Sequence, residues 1–141
     1  MKVIASVQRQ VGEKNYSCYM RVDCVKASSL GYGASAKSAM MDMLKGWEEV
    51  KMDLMEDGKE VPNLEVEYAF DLPSLFNFYD FINIAGVSRE IGISAAVMRQ
   101  YAIGVRRPSD ERKAQIVNGI RRIAEKLETV AEIGRASCRE R

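Results

Sequence analysis

The chain has 141 residues, enough for one ordinary domain or two small ones, and its 47% hydrophobic content excludes a disordered tail protein. It contains no apolar run of membrane-spanning length and no signal-peptide pattern, so we expect a cytoplasmic protein with no membrane association. The net charge of +1 hides an asymmetry, because residues 1–84 carry 9 basic and 13 acidic side chains and residues 85–130 carry 9 and 5. An acidic half joined to a basic half predicts different partners for the two halves.

Two alternating runs open the chain. Val3, Ala5 and Val7 share one face of "KVIASVQR", "GEKN" supplies a turn, and "YSCYMRVD" alternates again. This pattern predicts an antiparallel hairpin. The glycine-interrupted "SSLGYGAS" predicts a third strand, and its closing Ser35 is a typical N-cap for a helix.

The next segment, residues 36–55, predicts one long amphipathic helix that ends at Gly58. Its apolar stripe consists of Met40, Met43, Leu44, Trp47, Val50 and Leu54. The methionines favour core packing, with an adaptable partner surface as the alternative. After the turn "EVPN", the alternating "LEVEYAF" predicts a fourth strand.

The resulting order β-β-β-α-β includes the opening "MKVIASVQR", the second strand "YSCYMRV", a glycine-containing third strand and the helix exit "DGKEVP". Together these features resemble the N-terminal domain of HicB-type antitoxins over about residues 1–70. The resemblance implies a sheet-plus-helix domain, residues 1–71, that binds a small ribonuclease toxin.

Catalysis is not expected. The chain has no histidine, so Cys18 and Cys24 lack the ordinary general base of a thiol nucleophile. Carboxylates such as Glu65 and Glu67 are explained by solvent-facing strand positions, and the three cysteines show no metal-ligand spacing and predict reduced thiols. We therefore expect a protein that is not an enzyme, with no catalytic residues, no metal and no cofactor.

The pattern changes at "DLPSLFNFYDF", which predicts a first helix with Pro73 in its first turn and an apolar face. That face consists of Leu72, Leu75, Phe76, Tyr79 and Phe81. Two short helices are predicted next: "IAGVSREI", ended by Gly92, and "AAVMRQYAI", capped by Ser94 and ended by Gly104. Ser109 is the predicted N-cap of a long final helix.

The segment "VSREIGISAAVMRQYAIGVRRPSDERKAQIVNGI" is similar to the helix-turn-helix of Xre and phage-repressor proteins, with an unrelated helical bundle as the alternative. The resemblance implies a DNA-binding domain over residues 72–131 and assigns roles within it. Ala95, Ala96 and Gln100 fall where the family directs side chains at bases, and Arg99 lies beside them. Ser94, Arg106 and Arg107 are the expected phosphate contacts. Gln100 suits adenine and Arg99 suits guanine, whereas the two alanines offer only methyl contacts to thymine.

The final helix carries an apolar stripe, Ile116, Ile120, Ile123, Leu127 and Val130, that either packs against the preceding helices or forms a dimer seam. This amphipathic pattern ends near Val130. The following residues Ile133–Arg141, "IGRASCRER", equal an in-frame translation of the common sequencing-adapter string AGATCGGAAGAGCGTCGTGTAGGGAAAGA. We therefore expect residues 132–141 to be a non-native read-through segment without structure of its own.

These predictions combine into an α+β protein: a small β-β-β-α-β domain followed by an all-α helix-turn-helix domain. The resemblances imply an antitoxin-like regulator that binds double-stranded DNA, forms a homo-oligomer, binds a small ribonuclease toxin and represses its own operon. The alternative is a solitary transcriptional regulator whose N-terminal domain serves oligomerisation. A nuclease is disfavoured by the absence of histidine.

Overall fold

The computed structural model describes the backbone of residues 1–139 and the side chains of residues 1–130. The described chain is α+β, as the sequence predicts, with all strands in the N-terminal half. It divides into two compact units, the first made of Met1–Phe81 with Gln100–Arg106, and the second of Ile82–Arg99 with the residues from Arg107 onward. The domain limits predicted from the sequence, 1–71 and 72–131, stay a prediction.

Within residues 1–139, the secondary structure consists of four strands, five α-helices and one short 3-10 turn at Asp23–Val25. In chain order the elements are β1 (Lys2–Gln8), β2 (Tyr16–Val22), β3 (Ala27–Gly33), α1 (Ala36–Glu56), β4 (Glu65–Phe70), α2 (Leu72–Phe78), α3 (Ile84–Ile91), α4 (Ala95–Ala102) and α5 (Asp110–Arg139).

The four strands form one mixed sheet in the order β3-β2-β1-β4. β1 pairs with β2, and β2 with β3, in antiparallel fashion, as expected for strands joined by short connections. β4 lies parallel to β1, with Val3 opposite Val66 and Val7 opposite Phe70. A parallel partner requires a long crossover connection, and α1 with its flanking loops provides it.

The core of the first unit lies between one face of the sheet and α1. The sheet contributes Ala5, Val7, Cys18, Met20 and Val22, and the helix contributes Ala36, Ala39, Met40, Met43, Trp47 and Leu54. The predicted methionine packing is therefore confirmed for Met40 and Met43. Leu44 is the exception, because its side chain is 40% exposed while the smaller Ala36 and Ala39 face the sheet instead.

The glycines of β3 explain why alanines face the sheet at that point. A Cβ atom at Gly31 would lie 2.6 Å from the carbonyl oxygen of Ala39, and one at Gly33 would lie 2.7 Å from the amide nitrogen of Ala39. α1 therefore crosses β3 with backbone against backbone, which only glycine permits. The contact is fixed by the Ser29 hydroxyl, which donates to the Met43 carbonyl (2.7 Å), and by the Tyr32 amide, which donates to the Asp42 carboxylate (2.9 Å).

The predicted first helix of the second half corresponds to α2. Asp71 caps it by accepting a hydrogen bond from the Ser74 amide (3.0 Å), and Phe76 is buried. The placement of Phe81 on its apolar face is wrong, because α2 ends at Phe78 and Phe81 is 82% exposed. The apolar period of the sequence continues beyond Phe78, but residues beyond the end of α2 no longer lie on a face of the helix.

The last helix is longer than the apolar stripe predicts. α5 continues to Arg139, whereas the stripe indicates an end near Val130, so the expectation that residues 132–141 lack structure is wrong for residues 132–139. The backbone continues because no proline follows, and residues 131–139 include alanine, glutamate and arginine, which favour helix. The side chains of Ile133–Arg141, including Cys138, lie outside the described residues, and the read-through origin of this segment stays a prediction. Across the described chain, no helix combines the length and apolarity needed to cross a bilayer.

Candidate nucleic-acid interface

α3 and α4 are joined by a tight turn of three residues, Gly92, Ile93 and Ser94. Gly92 adopts a left-handed conformation (φ 86°), as predicted for the residue that ends α3. The amides of Gly92 and Ile93 both donate to the Ser88 carbonyl, at 2.9 and 3.0 Å. These bonds satisfy the end of α3 and fix the direction in which the chain enters α4.

Within the second unit, α3, the turn and the first residues of α4 bury apolar side chains. Ile91, Ile93 and Met98 are each less than 10% exposed, and Ile116 of α5 is fully buried. Ser88 is also buried, and its hydroxyl is satisfied by donating to the Ile84 carbonyl at 2.7 Å. Met98 therefore faces the interior of the second unit.

α5 supports α3 by close packing. A Cβ atom at Gly119 would overlap with the side chain of Ile91, so the two helices approach closely at this glycine. The side-chain amide of Gln115 donates to the Ile91 carbonyl (3.5 Å), and the Ser109 hydroxyl accepts from the Arg112 amide (3.2 Å). The latter bond confirms Ser109 as the predicted N-cap of α5.

The outer face of α4 carries most of the predicted base-contacting residues. Ser94, Ala96, Arg99 and Gln100 are exposed, and Ala95 is half-buried. The Ser94 carbonyl accepts a hydrogen bond from the Met98 amide (3.0 Å), so Ser94 stands at the start of the helix, where it was predicted. Arg99 and Gln100 are the only long polar side chains within α4, and Ala95 cannot present its whole methyl group to solvent.

α4 ends in a Schellman motif. The Gly104 amide donates to the Tyr101 carbonyl and the Val105 amide donates to the Gln100 carbonyl, both at 3.2 Å. Gly104 has φ 79°, which agrees with its prediction as the residue that stops the helix. The motif turns the chain back toward the last turn of α4.

This turn brings Arg106 to Gln100. One guanidinium nitrogen of Arg106, Nη1, donates to Oε1 of Gln100 at 3.4 Å, within the first compact unit. Arg107 is exposed and belongs to the second unit with Ser94, Ala95, Ala96 and Arg99. The sequence predicts Arg106 as a phosphate contact and does not predict its bond to Gln100. The stop glycine four residues after Gln100 was the available signal, since it implies a reversal of the chain there.

The Glu90 carboxylate, which precedes α4 in the sequence, forms an ion pair with a lysine of α5. Lys126 of α5 donates to Glu90 of α3 at 2.8 Å, and this hydrogen bond is the main reason that the pKa of Glu90 lies below its ordinary value. The neighbouring charges of Arg89 and Arg122 act in the same direction. Glu90 is therefore ionised and paired at neutral pH, which reduces its repulsion of a polyanion.

Among the side chains of residues 1–130, the remaining reactive groups form no comparable site. Burial raises the pKa of the Cys18 thiol to about 11, so the thiol is protonated at neutral pH and is a weak nucleophile. Cys24 is exposed, with its sulfur 3.9 Å from that of Met1. No group of three or more histidine, cysteine, aspartate or glutamate side chains is arranged to hold a metal ion within the described residues.

Comparison of the chain with protein-family models, with curated protein sequences and with solved structures finds no match. A function is therefore inferred from the geometry of α3, the turn and α4.

Proposed function

We propose that this chain is a DNA-binding transcriptional repressor of the helix-turn-helix class, in which α4 is the recognition helix. One observation carries the proposal: two eight-residue helices meet at a three-residue turn, and the second buries Met98 while it exposes Arg99 and Gln100. An α-helix of this kind fits the major groove and presents side chains to base edges. Cytoplasmic location and the absence of catalytic activity belong to the same proposal.

The roles within α4 follow from side-chain chemistry. Arg99 supplies paired donors for guanine, and Gln100 supplies an amide for a second base. Ala96, which is exposed, offers its methyl group to thymine, whereas the half-buried Ala95 contributes less. Ser94 and Arg107 contact phosphates, which sets the position of the helix but carries no sequence information.

For the first unit we propose the antitoxin role, binding of a small ribonuclease toxin. The solvent face of the sheet exposes four large apolar or aromatic side chains, Ile4, Tyr19, Leu30 and Tyr32, with exposures of 43–64%. Tyr19 and Leu30 are directly paired across β2 and β3, so part of this set is contiguous. Exposed apolar groups clustered on a sheet support a protein partner.

The same apolar face serves a second candidate, a solitary regulator whose first unit mediates oligomerisation. The two candidates differ in what binds the sheet. Co-expression with the product of an adjacent short reading frame yields a stable complex for an antitoxin, and Tyr32→Ala weakens it. If no adjacent frame encodes a binding partner and Tyr32→Ala instead changes self-association, the solitary regulator is favoured.

DNA binding is tested by anisotropy titrations of the purified protein on its own promoter duplex and on a random duplex, at several salt concentrations. We expect Arg99→Ala combined with Gln100→Ala to lower promoter affinity by about tenfold or more, toward that of the random duplex. Arg107→Ala should weaken both duplexes alike and reduce the salt slope by about one unit. Lys14→Ala, which removes an exposed charge from the turn between β1 and β2, is the control.

Two results would contradict the proposal. One is absence of binding at low salt by a folded protein. The other is a double variant, at Arg99 and Gln100, that binds promoter and random duplexes as the parent does.

A further inference from the structure

The amide of Gln100 has a defined orientation. Arg106 Nη1 donates to it at 3.4 Å, and a guanidinium has donors only, so the amide must turn its oxygen, Oε1, toward Arg106. The nitrogen of the same amide, Nε2, then points away from Arg106 with its two N–H groups free to donate. Both side chains are exposed, so these donors are available to a ligand.

The position of Arg106 is set by the backbone and not by its side chain alone. The two hydrogen bonds of the Schellman motif, from Gly104 to Tyr101 and from Val105 to Gln100, hold the returning chain against the end of α4. The Gln100 carbonyl is itself one of the two acceptors. Arg106 therefore directly follows Val105, the residue whose amide is bonded to the Gln100 carbonyl.

This orientation changes which base Gln100 can bind. A glutamine pairs bidentately with adenine by accepting from the N6 amino group through its oxygen and donating to N7 through its nitrogen. In this chain one lone pair of that oxygen accepts from a cationic donor, so the N6 amino group would have to use the second lone pair directly beside the positive charge of Arg106, which disfavours adenine. Guanine instead presents two acceptors in the major groove, N7 and O6. It matches a surface made of the Gln100 nitrogen and the Arg106 guanidinium, both of which donate.

We propose that Arg106 is a specificity-determining residue that turns Gln100 from a contact for adenine into a contact for guanine. The inference rests on the proposed DNA-binding function and identifies the base class that this part of the site takes. Arg106 acts both by orienting the Gln100 amide and by adding its own donors beside it.

The test is selection of bound duplexes from a library with roughly 20 randomised base pairs, about two helical turns, followed by titrations on the selected sites. The parent, Gln100→Ala, Arg106→Ala and Arg107→Ala are compared. Arg107→Ala is the matched control, because it removes the same charge from the adjacent exposed position and leaves the Gln100–Arg106 pair in place. Thermal unfolding of each variant checks that the fold is retained.

We expect the parent to select guanine at one position of the site, and Gln100→Ala to lose the preference there. Arg106→Ala should shift that position toward adenine, with the guanine-to-adenine affinity ratio falling by about tenfold, while Arg107→Ala keeps guanine. The inference is overturned if parent and Arg106→Ala select the same base at the Gln100-dependent position, or if Gln100→Ala changes no position. An identical sequence preference in all variants would retain the proposed function and reject only the Arg106 role. Absence of any binding by the folded parent would reject both.

Discussion

Glu90 and Lys126 form a surface ion pair between α3 and α5, and its small contribution to the stability of the second unit depends on pH. The pKa of Glu90 is lowered, chiefly by the hydrogen bond from Lys126. A carboxylate with a lowered folded-state pKa contributes stability that is present above its unfolded pKa and is lost as the pH falls through the folded pKa. The side chains are 53% and 69% exposed, so solvent screens the pair and its contribution to the free energy of unfolding is small.

Titration of the Glu90 carboxyl carbon by NMR measures this effect directly. We expect Lys126→Met to raise the pKa of Glu90 toward its ordinary value, with the remaining lowering due to Arg89 and Arg122. Lys113→Met, which removes a lysine from the first turn of the same helix, should leave the pKa of Glu90 nearly unchanged. An equal pKa in the parent and in Lys126→Met would show that the ion pair does not form in solution.

The two alanines in the first turn of α4 differ in burial. Ala96 is exposed, whereas Ala95 is half-buried, so only Ala96 can bring a full methyl group against a thymine. Under the proposed function, hydrogen bonds to bases then fall to Arg99 and Gln100, joined by Arg106 in its proposed specificity-determining role. A single α4 would accordingly discriminate sites modestly, and DNA shape would have to supply part of the selectivity.

At the scale of elements, the contact between α3 and α5 depends on one glycine inside a helix. Glycine in a helix interior normally costs about 1 kcal/mol relative to alanine, so Gly→Ala usually stabilises. At Gly119 the sign is reversed, because a Cβ atom would overlap with the side chain of fully packed Ile91. We expect Gly119→Ala to lower the free energy of unfolding by about 1–3 kcal/mol, the usual cost of overpacking a core.

Chemical denaturation of Gly119→Ala and of Asn118→Ala measures the difference. Asn118 is exposed on the same turn of α5, so its replacement by alanine should raise stability by a few tenths of a kcal/mol through helix propensity alone. If both variants are equally stabilised, α3 does not pack against Gly119 as described.

Local signals in the sequence predict where helices start and end better than they predict which elements pack against each other. Ser35 and Ser109 cap helices, and Gly92 and Gly104 end them, because each effect acts within a few residues of the signal. The predicted stripe of α1 holds except at Leu44, where the outcome depends on how closely Gly31 lets the helix approach β3. That distance is a property of two elements together and is absent from either pattern.

In the candidate site, too, the sequence predicts local features but not a contact that depends on how the chain leaves the helix. The exposure of Arg99 and Gln100 follows from the helical period, and the burial of Met98 follows with it. The bond between Gln100 and Arg106 does not, since it requires the direction in which the chain leaves the Schellman motif. The prediction for Phe81 is wrong for a related reason, because the apolar period does not indicate where α2 ends.

For the whole molecule, the proposed function requires more than one chain. A single recognition helix contacts few base pairs, and two-fold proteins extend the site by placing two such helices about one helical turn apart. The stripe on α5 offers a means of pairing. Ile116 at its start is buried within the second unit, whereas Leu127 and Val130 at its end are 65% and 66% exposed. Packing within the chain therefore accounts for only the first part of the stripe.

The spacing of the stripe alternates between four and three residues, which is the heptad pattern of paired helices. We expect the protein to sediment as a dimer at micromolar concentration, and Leu127→Glu to shift it toward monomer because a carboxylate would be buried in the seam. Thr129→Glu adds the same charge two residues away and outside the stripe, so it should leave the dimer intact. Both variants should keep the helix content of the parent by circular dichroism, since both positions are exposed. A dimer that survives Leu127→Glu would move the interface away from α5, with the apolar face of the sheet as the next surface to mutate. A monomeric parent would rule out pairing through the stripe.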